Sequence, residues 1–296
     1  MSASLGLASI PPIRPDLTSG VMHVEKQESM PFEKIEAVRP LAGYVGGKRN
    51  LSGRIVPLIE TTPHECYVEA FVGMGGIFFR RQRVPKAEVI NDRSRDVATL
   101  FRVVQRHYVP FMDMMKHQLT TRAEFERLTA TEPDTLTDME RAARFIYLQR
   151  MGFGGKVAKR TFGTQRTAPA RFDVSKIGPM IEDVHTRLSR VVIECQDWRD
   201  LLTTYDGPST LFYLDPPYFG SEHVYGKGLF SRDDFAEMAA RLADLKGRFI
   251  MSINDVPVIR ETFRAFKLQK VKTTYSVGGG TKQVSAGELI ITLKGR

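Results

Sequence analysis

An apolar run that stops abruptly at two prolines sets the strongest limit on the fold of this chain. It reads Leu211-Phe212-Tyr213-Leu214-Asp215-Pro216-Pro217-Tyr218. A short, continuously apolar run bounded by a turn signal predicts a buried β-strand. Each proline fixes its φ near −65° and removes a backbone donor, so regular structure ends at Asp215. The product is a stiff turn that presents one acid and one aromatic ring at the end of a strand. In an open α/β sheet that end is where ligands bind. A carboxylate, a neighbouring carbonyl and a flat ring suit a planar group carrying an exocyclic amine. The carboxylate and the Pro216 carbonyl would accept from the two N–H groups, while the ring stacks on the π-face. The amino group of adenine or cytosine is such a target, although a plain strand followed by a proline turn reads the same way.

The flanking pattern predicts the rest of the sheet. Cys66–Phe71 is a strand that breaks at Gly73-Met74-Gly75-Gly76 and is expected to continue as a helix over Ile77–Arg83. Glu88–Asn91 is a second strand, ending at Asp92. Residues 66–92 therefore read as a βαβ unit, the nucleus of a doubly wound sheet. Helical periodicity covers Leu51–Ile59, Phe101–Gln105, Phe111–Leu119, Arg141–Gln149, Ile181–Ser189 and 232–245. Strands return at Val191–Cys195, Leu211–Leu214 and Phe249–Ile253. Two more, near 267–275 and 288–293, flank Gly278-Gly279-Gly280 as a hairpin. The fold class is α/β, with a helical, basic insertion between the second and third strands. Residues 41–105 and 190–296 would form the sheet domain and 106–189 the insertion. Residues 1–40, rich in Pro and Ser and without a period, are expected to be a poorly ordered tail.

The charge is localised. The 296-residue chain carries +9, and residues 141–190 hold eleven Lys and Arg against three acids, a net +8. Such a segment points to a polyanionic partner. No apolar run approaches the ~20 residues that span a bilayer. No basic region followed by an apolar core marks a secretory leader. Cys66 and Cys195 lie in apolar runs and are expected to be reduced core residues of a cytoplasmic protein, neither disulfide nor metal ligands. The six histidines and two cysteines show no ligand spacing, so no metal is expected.

Gly73, Gly75 and Gly76 let the backbone approach a ligand closely. Asp92 ends the second strand nineteen residues after Gly73, where a carboxylate typically accepts from ribose hydroxyls. This suits an adenosine-containing cofactor without naming it. The spacing is not the G-x-G-x-x-G of a dinucleotide site. A nicotinamide enzyme would explain neither Asp215–Tyr218 nor the basic insertion.

Four motifs occur in one order: Gly46-Gly47-Lys48; Glu69-x-Phe71-Val72-Gly73-x-Gly75; Asn91-Asp92; and Asp215-Pro216-Pro217-Tyr218. In that order the chain, from about residue 41 to its end, resembles Dam-like N6-adenine DNA methyltransferases, the α-class amino-methyltransferases. Arg141–Phe153 looks like the family's helix entering its target-recognition region. Gly279-Gly280-Thr281-Lys282 and Glu288-Leu289 look like its C-terminal segment. The resemblance implies S-adenosylmethionine as cofactor, contacted by Tyr44, Gly47 and Lys48, with Glu69, Phe71, Gly73 and Gly75 around the methionine part and Asp92 at the ribose. Asp197 would take the cofactor's adenine amine, with Trp198 beside it. Asp215, Pro216, Pro217 and Tyr218 would form the catalytic pocket.

The implied reaction is methylation of adenine N6 in double-stranded DNA after base flipping, by a monomer or weak dimer bound to the nucleoid in the cytoplasm. Arg150, Lys156, Lys159, Arg160 and Arg166 are candidate DNA contacts, and Tyr275 a candidate for the opposite wall of the base pocket. The chain departs from GATC-specific relatives at Gln149, where they carry Asn, and at Phe153–Arg160, which leaves its recognition sequence open. Cytosine-N4 methylation and a DNA-binding module without catalysis are the alternatives. RNA or protein-amide methylation fits less well, because those enzymes commonly carry Asn in place of Asp215.

Overall fold

The computed structural model describes residues 32–44, 46–157, 160–163, 167, 169–222, 230–276 and 283–295, with backbone alone for 273–276 and 283–286. In chain order the elements are β1 (Glu33–Lys34), α1 (Ser52–Thr61), β2 (Cys66–Glu69), β3 (Arg83–Val84), β4 (Ala87–Asn91), α2 (Arg95–Arg106), α3 (Tyr108–Lys116), α4 (Arg122–Ala130), α5 (Asp138–Met151), α6 (Val174–Leu188), β5 (Val191–Glu194), α7 (Trp198–Tyr205), β6 (Thr210–Leu214), α8 (Asp234–Ala243), β7 (Arg248–Asn254), α9 (Pro257–Thr262), β8 (Lys267–Ser276) and β9 (Gln283–Thr292).

Seven strands form one sheet in the order β5-β4-β2-β6-β7-β9-β8. The first five are mutually parallel, and β9 runs antiparallel to both β7 and β8. The mostly parallel α/β fold expected from the sequence is therefore present. Side chains alternate between two cores, as a strand's period of two requires. Tyr67, Ile90, Leu211, Tyr213 and Ile250 pack with α2, α5 and α6. Val68, Val89, Phe212, Leu214, Phe249 and Met251 pack with α7, α8 and α9. With helices on both faces, all five residues of β6 are buried, which is why its sequence is continuously apolar. From β2 the chain first moves outward to β4 and β5, then returns to β6 on the other side of β2. That reversal is a topological switch point, where crevices open at the strands' carboxyl ends.

Three sequence expectations are corrected. Residues 77–83 do not form an α-helix: a 3₁₀ turn covers Phe78–Arg80, and Arg83–Val84 pairs with β1. Phe78, Phe79 and Arg81 are all buried, and consecutive buried residues suit a tight turn between layers better than an amphipathic helix. Cys195 is exposed, because β5 is the edge strand of the sheet. Much of the basic segment's charge faces inward. Arg141 pairs with Asp96 and Asp134, and Arg144 donates to the Leu128 carbonyl.

Arg187 belongs to a buried charge cluster. Its guanidinium donates to both oxygens of Glu88, at 2.6 and 2.8 Å. Arg81, fully buried, pairs with the same carboxylate and lies 3.6 Å over the Tyr67 ring. One acid thus neutralises two cations beneath the sheet. Its two arginines hold the Glu88 carboxyl below its usual range against the opposing effect of burial. Glu88→Gln would leave both guanidinium groups without an anion. It should lower the unfolding free energy by about 3–5 kcal/mol in urea denaturation.

Candidate active site

The carboxyl ends of β2, β4 and β6 each deliver an acid: Glu69, Asp92 and Asp215. The three strands are neighbours, with β2 in the middle. All three acids line one cavity of about 680 Å³ at the switch point, closed on its other sides by Tyr44, Phe71, Met180 and Phe230.

The glycine turn forms the floor. Gly73 and Gly75 have φ of +51° and +72°, a region that favours glycine. Contact forbids a side chain as well. A Cβ on Gly73 would lie 2.8 Å from the Tyr44 ring, and one on Gly75 2.3 Å from the Phe79 ring. Asp92 holds the turn against β4: its Oδ2 accepts from Gly73 N at 2.8 Å and its Oδ1 from Ser94 N at 2.9 Å. Burial pushes the Asp92 carboxyl up to about 6 despite these bonds. Burial likewise pushes Glu69 up to about 8, although the Tyr67 hydroxyl donates to its Oε2 at 2.7 Å. Glu69 is thus largely protonated at neutral pH.

Asp215 sits in a different setting. Lys48 Nζ meets its Oδ1 at 2.7 Å, and the Ser252 hydroxyl donates to the same oxygen at 3.0 Å. Ser252 in turn bonds the Tyr213 hydroxyl at 2.7 Å. Burial raises the Asp215 carboxyl, and Lys48 opposes the shift. Lys48 also donates to the Gly46 carbonyl and lies 4.5 Å from the Tyr218 ring centroid. Pro216 and Pro217 are buried, and Pro217 lines the cavity. Beyond them Asn254, at the end of β7, brackets Phe219, accepting from its N–H and donating to its carbonyl. The turn is therefore fastened on both sides, and an acid and an aromatic ring share its tip.

Asp197 and Trp198 lie outside the cavity lining, whereas Arg150 is part of it. Asp197 caps α7 and pairs with Arg199, both through Oδ1. It does not line the main cavity, and Trp198 is buried in the core beneath α7. Arg150 lines the cavity wall and donates to the Leu41 carbonyl. Arg160 is packed over α5, its Nε donating to the Lys156 carbonyl and its Nη2 to Gln149 Oε1. Burial draws its guanidinium down to about 10. Arg150 and Arg160 thus face the protein, because their guanidinium groups serve backbone and amide acceptors on neighbouring loops. Lys156 is exposed. Lys159, Arg166 and the Tyr275 side chain lie outside the described residues.

Sequence reasoning missed several residues. Ser252 and Asn254 read as ordinary strand residues of β7. Exposed Arg39, Arg49 and Arg93 ring the cavity but lie outside the densest basic segment. Gln149 ties two loops together, its Nε2 donating to the carbonyls of Gly43 and Gly155 at 2.9 and 2.6 Å. Among the described residues no cluster of His, Cys, Asp and Glu suits a metal ion, and no helix is long and apolar enough to cross a membrane.

A family model described as D12 class N6 adenine-specific DNA methyltransferase matches residues 44–277. The Type II methyltransferase M1.LlaDCHI of Lactococcus lactis subsp. cremoris is 26% identical over 277 residues, covering 86% of this chain and 95% of the relative. The DNA adenine methylase of Escherichia coli strain K12 is 25% identical over 242 residues, covering 74% and 83% respectively. The Type II methyltransferase M.CviBI of Paramecium bursaria Chlorella virus NC1A is 22% identical over 233 residues, covering 77% and 88%.

The protonated Glu69 gives a pH test. Its carboxyl titrates near 8 in the folded chain, against a usual value of 4.5. Between those values the folded state holds a proton that the unfolded state has lost, so Glu69's contribution to stability falls as pH rises and levels off above about 8. Urea denaturation from pH 5 to 9 should show wild type losing stability relative to Glu69→Gln across that window. Parallel curves would mean that Glu69 titrates normally.

Proposed function

Because this chain belongs to the D12 class N6 adenine-specific DNA methyltransferase family, we propose that it moves a methyl group from S-adenosylmethionine to N6 of an adenine flipped out of double-stranded DNA. The observation that carries the reading is the position of Asp215, which lines the cavity together with Glu69, Asp92 and Gly73 and shares its rigid turn with the Tyr218 ring beside Lys48.

The cavity fits the cofactor. Gly73 and Gly76 bring the turn's backbone to the cavity wall, and at Gly73 a side chain would collide with the Tyr44 ring. Asp92 keeps acceptor capacity for ribose hydroxyls beyond the two N–H groups it already serves. Glu69 would ionise and pair with the methionine ammonium. Phe71 and Phe230, edge to face at 6.1 Å, offer an apolar wall. Asp197 lies outside the lining of this cavity, and its Oδ2, which the bonds to Arg199 leave open, would serve the cofactor's adenine amine only where the cofactor extends past Asp92. S-adenosylmethionine, when bound, supplies an electrophilic methyl on a sulfonium.

Asp215 and the Pro216 carbonyl accept from the two N6 hydrogens. That draws electron density onto a nitrogen otherwise conjugated with the ring. Asp215 then stabilises the positive charge that develops on N6, an electrostatic contribution in a dry site. It does not deprotonate the amine first, because a neutral aryl amine is too weak an acid. The surplus N6 proton would leave through Asp215 to solvent only after the methyl–sulfur bond has broken, when the donor departs as a neutral thioether. The stiff turn fixes the nitrogen against the methyl-bearing cavity. Tyr218 stacks on the flipped base, a contact worth roughly 1–3 kcal/mol.

The DNA approaches the cavity mouth, where Arg39, Arg49 and Arg93 meet phosphates. Lys156, with Lys159 and Arg166 of the same basic stretch of sequence, 152–171, contacts DNA. Within residues 106–189 that stretch reads the sequence, because α5 and α6 are committed to the core.

Incubation with S-adenosylmethionine and unmethylated DNA, followed by base-resolved mapping, should give N6-methyladenine within a short sequence. Asp215→Ala should cut the rate by at least about 10²-fold, the order of losing one preorganised electrostatic contact. Methylation that survives Asp215→Ala at the wild-type rate would overturn the mechanism.

A further inference from the structure

Glu288 has no part in the chemistry above, yet it is the least exposed acid of the site. It lies on β9 across from Asn254 of β7 and is 0% exposed. Lys48 from the loop before α1, and Asp215 and Tyr218 from the turn after β6, all act on its carboxyl group. The Tyr218 hydroxyl donates to this carboxyl group, and its remaining acceptor positions have no well-formed partner among the described residues. A buried carboxylate with idle acceptors is costly, and a site that keeps one has a use for it.

Lys48 suggests the use. Its ammonium donates to Asp215 Oδ1 beside the Tyr218 ring. Those are the acceptor and the ring that a target amine needs. A lysine N–H thus imitates the target's N–H while the pocket waits. When the amine enters, the lysine must leave Asp215. At 3% exposure it cannot be left without an anion.

We propose that Glu288 is a positioning residue that receives Lys48 when the target amine takes its place on Asp215, an inference that rests on the amine-methylation reading above. The lysine then passes from one buried carboxylate to the other. Its charge stays paired throughout, and Asp215 is released to the substrate.

A double-mutant cycle between Glu288→Gln and Lys48→Met tests this. The probes are kcat/KM for methyl transfer and the fluorescence of a duplex with 2-aminopurine immediately beside the target adenine found for wild type, which brightens when that adenine leaves the stack. With Lys48 present, Glu288→Gln should lower kcat/KM by about tenfold or more, the order of one charge-assisted hydrogen bond, and should reduce the flipped-base signal. With Lys48→Met, Asp215 is already open, so adding Glu288→Gln should change the flipped-base signal no further. Equal losses in both backgrounds, or no loss with Lys48 present, would overturn the proposal. Thermal melting separates a folding defect, because the amide oxygen of Glu288→Gln can still accept from the Tyr218 hydroxyl and should leave the melting temperature close to that of wild type. If the amide variant fails to fold, Glu288→Asp keeps the charge but shortens the reach, and should show the same dependence on Lys48. Failure of wild type to methylate any base would instead bring down the functional reading itself.

Discussion

The burial of three carboxylates at the ends of three adjacent parallel strands is the constraint from which the rest of the site follows. A parallel sheet covered on both faces brings its strand ends into a low-dielectric crevice, where charge is expensive. Each acid meets that cost differently. Asp92 takes two backbone N–H groups and in doing so fixes the glycine turn. Glu69 takes a tyrosine hydroxyl and stays largely protonated at neutral pH. Asp215 takes a lysine and a serine. The cavity is therefore assembled by the means that keep its acids folded, and each partner is one that a ligand group can replace or join.

How legible this was depended on the range of the cause. The apolar run of β6 and the prolines after it are local, so the strand, its end and the position of Asp215 could be read directly. The same holds for β2, β4 and the glycine turn. The segment 77–83 could not be read in this way. Its phenylalanines suit a helix as well as a tight turn. What decides is Arg81, drawn inward by Glu88, and the pairing of β3 with β1, both of which depend on distant residues. Ser252 and Asn254 were invisible for the same reason. On β7 they are ordinary, and they acquire meaning only because β7 is paired beside β6.

Charge counting illustrates a further limit. A net +8 over residues 141–190 suggested a basic face, but Arg141, Arg144 and Arg187 are buried among acids and carbonyls. A formal charge says nothing about which way a side chain points. Arginine in particular can serve as a buried multidentate donor, linking a helix to the elements around it. Exposed cations at the cavity mouth come from three separate stretches, at Arg39, Arg49 and Arg93, and no window of sequence would have grouped them.

Gln149 connects the two halves of the problem. From the buried face of α5 it holds Gly43, in the loop that carries Tyr44 and leads to Lys48, and Gly155, at the head of the basic stretch 152–171. The two loops touch so closely that a Cβ on Gly155 would lie 3.0 Å from Gly43 C and Tyr44 N. Neither loop can shift without breaking a buried amide's hydrogen bonds, each worth about 0.5–1.5 kcal/mol net. A displacement of Gly155 therefore bears directly on Gly43 and Tyr44. Under the proposed function, the loop beside the cofactor cavity and the stretch assigned to DNA are thus joined through one buried amide, a link that a two-part division of the chain into sheet domain and insertion would not have suggested.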